Sequence, residues 1–394
     1  MVALLPVASQ AQIDPFKRRL IEAGYNQSLE GRGPTAAYAY YYYNDPGYPR
    51  TNQTLRLVLA PVYLDGELGF HKLLGEQTDF ALGLGGGGFA DSHAEVRGGK
   101  YLREESFTGH GGSLSASVYH LFNPAQTIPL NGLLRGSVRH TAFSRNSETA
   151  AGFALPRDFS SFALRAGLRW GGRGPVLTPD AAMELSVWYE GQFRDESMGY
   201  GFAGDRNLAA QTHLFWARAL LNYTLPDLQH QFSVRLTTGV SLDADRLSAY
   251  RLGAALPLNS EFPLSLPGYY FQELTARRFL LAGGLYTVPL DAARQWSLQG
   301  FGSTALVDYL HGLEQPGHWH SGVGGGLGWR SRDNVWQVVA GYAYGVDALR
   351  NGERGAHSVG FIIQCDLEAR PAKTPFDPGV GPDKSRFLDR LFAR

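Results

Sequence analysis

Along much of this chain hydrophobic and polar residues alternate at every second position, the period of a strand whose two faces meet different surroundings. Between Ser161 and Gly172, Phe162, Leu164, Ala166, Leu168 and Trp170 share one face, and Ser161, Arg165, Gly167, Arg169 and Gly171 share the other. Met183, Leu185, Val187, Tyr189 and Phe193 oppose Glu184, Ser186, Trp188, Glu190 and Gln192 in the same way. Phe232, Val234, Leu236, Thr238, Val240 and Leu242 oppose Ser233, Arg235, Thr237, Gly239, Ser241 and Asp243. Near the end, Val359, Phe361, Ile363, Cys365 and Leu367 oppose Ser358, Gly360, Ile362, Gln364 and Asp366. These runs of nine to thirteen residues exceed the usual soluble strand and match a tilted strand that crosses lipid.

The same rhythm, with more noise elsewhere, predicts strands near residues 36–43, 54–63, 78–91, 110–122, 131–145, 159–172, 181–193, 210–225, 230–242, 272–288, 295–308, 319–331, 335–346 and 355–367. The expected fold is therefore all-β, an antiparallel transmembrane β-barrel of about 14 strands. The range is 12 to 16, because Leu64-Asp65-Gly66 could turn a further hairpin and the first strand is short. An even count returns both ends to the periplasmic side. Pro226 to Gln229 and Arg332 to Asn334 are short connections, expected there, whereas 92–108, 194–209 and 243–271 are long and expected outside the cell. No stretch approaches the roughly 18 to 20 uncharged apolar residues of a membrane-spanning helix. Spanning a membrane then requires a closed barrel, which leaves no backbone group unpaired in lipid.

Around a barrel at residues 36–368 lie three further pieces. Val2 to Ala8 is apolar and precedes Ser9-Gln10-Ala11, whose small residues suit signal peptidase, so residues 1–11 read as a signal-peptide remnant. Residues 12–35 read as a periplasmic segment in which Ile13 to Tyr25, with Phe16, Leu20 and Ile21 beside Lys17, Arg18 and Arg19, forms a short amphipathic helix. Residues 369–394 combine a linker rich in Pro and Gly, Pro371 to Pro382, with a tail carrying Phe387, Leu388, Leu391 and Phe392 on one helical face.

Charge and composition narrow the function. With 36 basic and 36 acidic residues the formal net charge is zero, so no field recruits nucleic acid. Forty-nine glycines and an abundance of Tyr, Phe and Trp suit strands and membrane-interface rings. The single cysteine, Cys365, excludes an internal disulfide and a Cys-cluster metal site. On the inward face, Arg135, Arg139, Arg165, Arg169, Arg218 and Arg235 with Glu184 and Glu190 would either filter solutes or pair across strands to fill a narrow lumen. Gly85 to Gly88 and Gly322 to Gly328 do not open a helix, so close strand packing explains them better than phosphate binding. His318 and His320 share a strand face without a third ligand, and Asp243 with Asp245 is a common loop pair, so no metal is expected. No nucleophile-elbow motif appears and the eleven histidines are scattered, which argues against an enzyme and for no cofactor.

The stretch from Leu252-Gly253-Ala254-Ala255 through Leu266-Pro267-Gly268-Tyr269-Tyr270, then Glu273, and the strand Arg278 to Leu290 ending Tyr286-Thr287-Val288-Pro289-Leu290, resembles the last third of the Omp85 or bacterial surface antigen barrel. That resemblance implies that the long loop folds back into the lumen, with Leu266, Pro267, Gly268, Tyr269 and Tyr270 as its tip. It also implies that Ser358, Gly360, Ile363 and Cys365 in the concluding strand form a β-signal read by the assembly machinery. Two departures are visible. The family's tip arginine is replaced by Pro267, and the aspartate that usually receives it by Ser303, so Tyr269, Tyr270 and backbone bonds are expected to hold the loop instead. The resemblance is to the barrel part of that family, and no periplasmic POTRA repeats are expected within these 394 residues.

The function so implied is insertion, translocation or organisation of envelope components in the outer membrane of a Gram-negative-type bacterium, with the loop as gate and the seam between first and last strands as the working edge. The alternatives are a passive or selective porin-like channel and a structural or surface-binding protein. Expected partners are outer-membrane lipid and lipopolysaccharide, the assembly machinery through the last strand, and a periplasmic or lipoprotein partner.

Overall fold

The computed structural model describes residues 16–126, 128–172, 181–225, 227–254 and 262–369. Its strands, in chain order, are β1 (Arg18–Ser28), β2 (Ala36–Pro46), β3 (Gln53–Ala60), β4 (Tyr63–Phe70), β5 (Thr78–Gly87), β6 (His93–Arg97), β7 (Lys100–Leu121), β8 (Leu130–Ser144), β9 (Phe153–Ala154), β10 (Phe159–Gly172), β11 (Ala181–Arg194), β12 (Met198–Phe202), β13 (Arg206–Leu208), β14 (Gln211–Thr224), β15 (Gln231–Leu242), β16 (Tyr250–Leu252), β17 (Leu274–Pro289), β18 (Trp296–Tyr309), β19 (Trp319–Arg330), β20 (Trp336–Arg350) and β21 (Glu353–Asp366). No helix occurs among the described residues.

Sixteen strands make the wall, each antiparallel to the next, and β1 closes the ring by pairing with β21 from Leu20↔Asp366 to Ser28↔Ser358. Leu367 donates its amide to the Arg19 carbonyl and Leu29 to that of His357, both at 2.8 Å, which extends the closure past each end of the register. Every edge is thus paired, the condition for backbone in lipid. Short β6, β9, β12, β13 and β16 belong to the connections.

The expected strand count was two short, and the physical reasons differ. Ile13 to Tyr25 was expected as an amphipathic helix, but from Arg18 the chain is β1: Leu20 and Glu22 turn inward and are fully buried, while Ile21 faces out. Leu64-Asp65-Gly66, considered as a turn, lies inside β4, and the turn is Pro61-Val62. Asp65 and Glu67 face inward there and meet Arg56 and Arg135. The barrel therefore begins at Arg18 rather than at residue 36. The signal remnant at 1–11, the turn proline Pro226, and the linker and tail from 370 onward lie outside the described residues.

The alternating faces behave as the pattern demands. Leu185, Val187, Val234, Leu298, Val323 and Phe361 are exposed on the outside, where only an apolar solvent makes such a surface favourable. Trp170, Tyr286, Trp296 and Trp336 ring the end nearest the short turns, as amphipathic rings do at an interface. Inward positions are polar and buried, among them Asn44, Arg56, Glu67, Ser117, Arg169, Glu184, Arg218, Thr237 and Gln364.

The two ends differ. At one, the connections are five to eight residues long, and between β14 and β20 the wall is lined by Gln231, Thr287, Gln295, Gln299 and Gln337. At the other, loops pack into a cap with its own core of Phe107, Phe153, Met198, Tyr200 and Leu208. Glu95 and Glu105 there share the cations Arg206, Arg246 and Arg97.

Candidate functional site: the loop across the lumen

The connection from β15 to β17 passes from the cap into the lumen. Asp245 sets its first turn: Oδ1 accepts the amides of Leu247 and Ser248, both at 2.9 Å, and Oδ2 accepts Arg194 at 2.6 Å and the Ala209 amide at 3.0 Å. These bonds give Asp245 a structural role. β16 then pairs with the start of β17, Leu252 opposite Leu274. The returning stretch pairs with it in turn, since Gly253 donates to the Leu264 carbonyl at 3.1 Å and accepts the Leu266 amide at 2.8 Å.

The tip is a tight turn. Tyr269 donates its amide to the Leu266 carbonyl at 3.4 Å, with Pro267 and Gly268 between them and Gly268 at φ +83°. A type II turn asks for this pair, because proline sets the first central φ and glycine supplies the positive second one. The turn rests backbone to backbone on the wall. A Cβ at Gly322 would overlap the Pro267 carbonyl and one at Gly268 the Gly345 amide, and Gly322 and Gly345 are register partners on β19 and β20. Gly322 also pairs with Ser303, so the turn sits where the family resemblance located the missing aspartate.

Three walls receive the loop. Leu266 and Tyr269 join the cluster of Phe279, Leu281, Ala305, Val307 and Tyr309 on β17 and β18. Phe271 joins Leu20, Tyr38, Tyr40, Tyr42 and Val58 on β1 to β3. Phe262 packs with Trp188 and Trp216 on β11 and β14, and Arg165, Arg169 and Arg218 lie over its ring at 5.5, 5.9 and 4.4 Å. The described parts of the loop thus pack against three separate stretches of the inner wall.

Polar contacts lock the tip. The Tyr269 hydroxyl meets His320 Nδ1 at 3.1 Å, and the other nitrogen of His320 meets the Tyr309 hydroxyl. His318 is spent on the Val307 carbonyl at 2.9 Å, so the two histidines act separately. Tyr270 donates its hydroxyl to the Glu30 carbonyl at 3.0 Å. Arg350, at the end of β20, holds Glu273 bidentately, Nη1 to Oε1 at 2.9 Å and Nη2 to Oε2 at 3.0 Å, and its guanidinium lies 3.4 Å from the Tyr270 ring centre. The expectation that tyrosines and backbone bonds would hold the loop in place of a salt bridge is half right. An ion pair is present with its signs exchanged: the carboxylate is on the loop and the arginine on the wall.

The charged positions expected in the lumen lie on its inward rows. Arg135 pairs with Glu67 and bonds Ser117 at 2.7 Å and Tyr119 at 2.9 Å. Arg169 lies 3.7 Å from Glu184, and Arg218 Nε donates to Glu184 at 3.0 Å. Arg139 Nε donates to Asp91 at 3.1 Å. Arg165 stacks over Trp188 at 4.8 Å. Glu190 accepts Gln192 at 2.9 Å. Arg235 lies on β15 opposite Leu220 and Gly283. For Arg135, Arg169, Arg218 and Glu184 the pattern is pairing across strands. Sequence reasoning gave no role to Glu22, Arg56, Asp65, Glu67 or Arg350, and named Glu273 only as part of the resemblance. The first four lie on β1, β3 and β4, two of which were not recognised as strands; Glu273 lies on a connection without periodicity, and Arg350 ends β20, beyond the strand expected at 335–346. Of the β-signal positions, Ser358, Gly360, Ile363 and Cys365 all lie on β21, the strand that closes the ring.

No family model and no curated protein matches the chain. Among solved structures, CdiB from Acinetobacter baumannii superposes with a TM-score of 0.61 at 10% identity, covering 92% of this chain and 64% of that one. CdiB from Escherichia coli gives 0.57 at 10% identity, with 92% and 66% covered. BamA from Haemophilus ducreyi lacking POTRA domains 1-3 gives 0.55 at 10% identity, with 88% and 70% covered. The chain spans just under two thirds of the length of the CdiB chains. At this identity the likeness is one of fold: the chain has the closed sixteen-stranded architecture of the Omp85-type barrels of the Gram-negative outer membrane.

Proposed function

We propose that this protein is an outer-membrane insertion or translocation barrel whose lumen is shut at rest by the loop from Asp243 to Phe271. In this reading the short turns face the periplasm, the cap faces outward, and a substrate or an assembly partner displaces the loop. The observation that carries it is the attachment of the loop to three separate walls, with the Leu266 to Tyr269 turn seated on bare backbone. A permanently open porin needs no such element. A plug held by one ion pair, a few hydroxyl bonds and apolar contacts is strong enough to close and weak enough to be moved.

Single-channel recording in planar bilayers tests this. The intact protein is expected to be nearly closed, and removal of residues 260 to 270 is expected to give large, flickering openings. A steady current of porin size from the intact protein would favour the passive-channel reading instead.

A further inference from the structure

Tyr270 is placed where no plug residue needs to be for occlusion alone: it bridges the seam of the barrel from inside. Its hydroxyl bonds the Glu30 carbonyl in the connection from β1 to β2, while its ring lies on Arg350 in the hairpin from β20 to β21. One side chain thus touches the first and the last hairpins of the wall. Glu30 reaches across the same gap on its own account, since its Oε2 accepts the His357 amide of β21 at 2.6 Å, and the adjacent Leu29 amide bonds the His357 carbonyl at 2.8 Å.

The local sequence is shaped around this ring. A Cβ at either Gly31 or Gly33 would overlap the Tyr270 side chain, and Gly31 also stands at φ +70°. Arg350 is in turn fixed by Glu273, the residue immediately before the wall resumes as β17, and the Tyr270 amide donates to Glu273 Oε2 at 2.7 Å. Tyr270, Glu273, Arg350 and Glu30 therefore form one unit of which half is plug and half is seam. Toward the opposite end of the seam, Glu22 of β1 is held by Gln364 of β21 and Tyr40 of β2, and the loop's Phe271 joins the apolar cluster of Leu20 and Tyr40 there.

We infer that the loop is an interlock as well as a plug: its tip staples the cap-side end of the β1/β21 seam, so that end cannot separate until the tip withdraws. This rests on the gating reading above. The order of events follows from connectivity. Parting β1 from β21 at Leu29 and His357 pulls Glu30 from Arg350, and Tyr270 is the piece that spans them, so it leaves first.

Hydrogen exchange on the full chain in lipid nanodiscs, followed by mass spectrometry, tests the interlock with Tyr270→Phe and Glu273→Gln. Tyr270→Phe removes the Glu30 bond and keeps the ring on Arg350, and Glu273→Gln weakens the grip on Arg350. Each is expected to speed exchange about five- to tenfold, as loss of one such bond implies, in peptides covering 26–30 and 355–360. Peptides covering 19–23 and 362–366 should stay at the wild-type rate. Faster exchange in 264–274 with the seam unchanged would overturn the interlock and leave the gate intact. Faster exchange along the whole seam would also overturn it, as a loss of general stability. Failure of the gate itself shows separately, as unchanged conductance when residues 260 to 270 are removed.

Discussion

Gly322 and Gly345 offer the plug a seat made of backbone alone, and this makes them the most sensitive single positions in the gate. Valine at Gly322 would occupy the space of the Pro267 carbonyl, and overpacking of this kind costs about 1–3 kcal/mol. Gly322→Val is therefore expected to raise the open probability in bilayer recordings on the order of tenfold. Gly300→Val, where an added Cβ meets nothing within 4 Å, should leave it unchanged. Equal open probabilities for the two variants would refute this account of the seat. At this scale the sequence was partly legible. Pro267-Gly268 announces a turn by its own stereochemistry, whereas nothing near Glu273 points to Arg350, 77 residues away. Residue types reveal local geometry, but a partner brought up by ring closure leaves no spacing to read.

Among elements, strands with solvent-like lipid on one side and paired charges on the other were legible wherever the alternation was clean, as in β10, β11, β15 and β21. β1 and β4 were not, because the inward charges Glu22, Asp65 and Glu67 interrupt the apolar count that marks a strand, and Asp65-Gly66 imitates turn chemistry. The cap escaped too, since β6, β9, β12 and β13 are too short to show a period. Its ion pairs make it sensitive to acid. Burial, with the charge of Arg251 adding to it, holds the His93 imidazole down to about 4 against an ordinary 6.5, despite the bond to Glu95. Burial pushes the Glu95 carboxyl up, but His93, Arg246 and Arg206 outweigh it and hold the group at about 2. Both groups bind fewer protons in the folded cap than when it opens, so their stabilisation is complete above about pH 6.5. It declines toward pH 4 through His93, and from 4.5 toward 2 through Glu95. Exchange protection in 93–107 and 198–208 is expected to hold from pH 8 to 7 and fall steadily below 6.5. Protection that rises on acidification would contradict this.

For the whole molecule, the decisive property is which side of the wall meets lipid. Val187, 54% exposed and midway along β11, is expected to lose about 2–4 kcal/mol of folding stability as Val187→Arg, the depth-dependent cost of a cation in hydrocarbon. Gln299→Lys on the polar inner wall should change stability far less. The urea midpoint of the heat-modifiable band on a gel measures both, and equal shifts would argue that the outer face is not in hydrocarbon. The ring also has an uneven height. β3 and β4, joined by Pro61-Val62, are eight residues each, whereas β7 runs for 22. At a strand tilt near 40°, eight residues climb roughly 20 Å, short of the apolar band of about 25 Å that such barrels present. A cylinder cut obliquely cannot stand upright in a slab of constant depth: either its axis leans toward the low flank or the neighbouring acyl chains draw in to meet it, and in both cases lipid order around this protein has a direction.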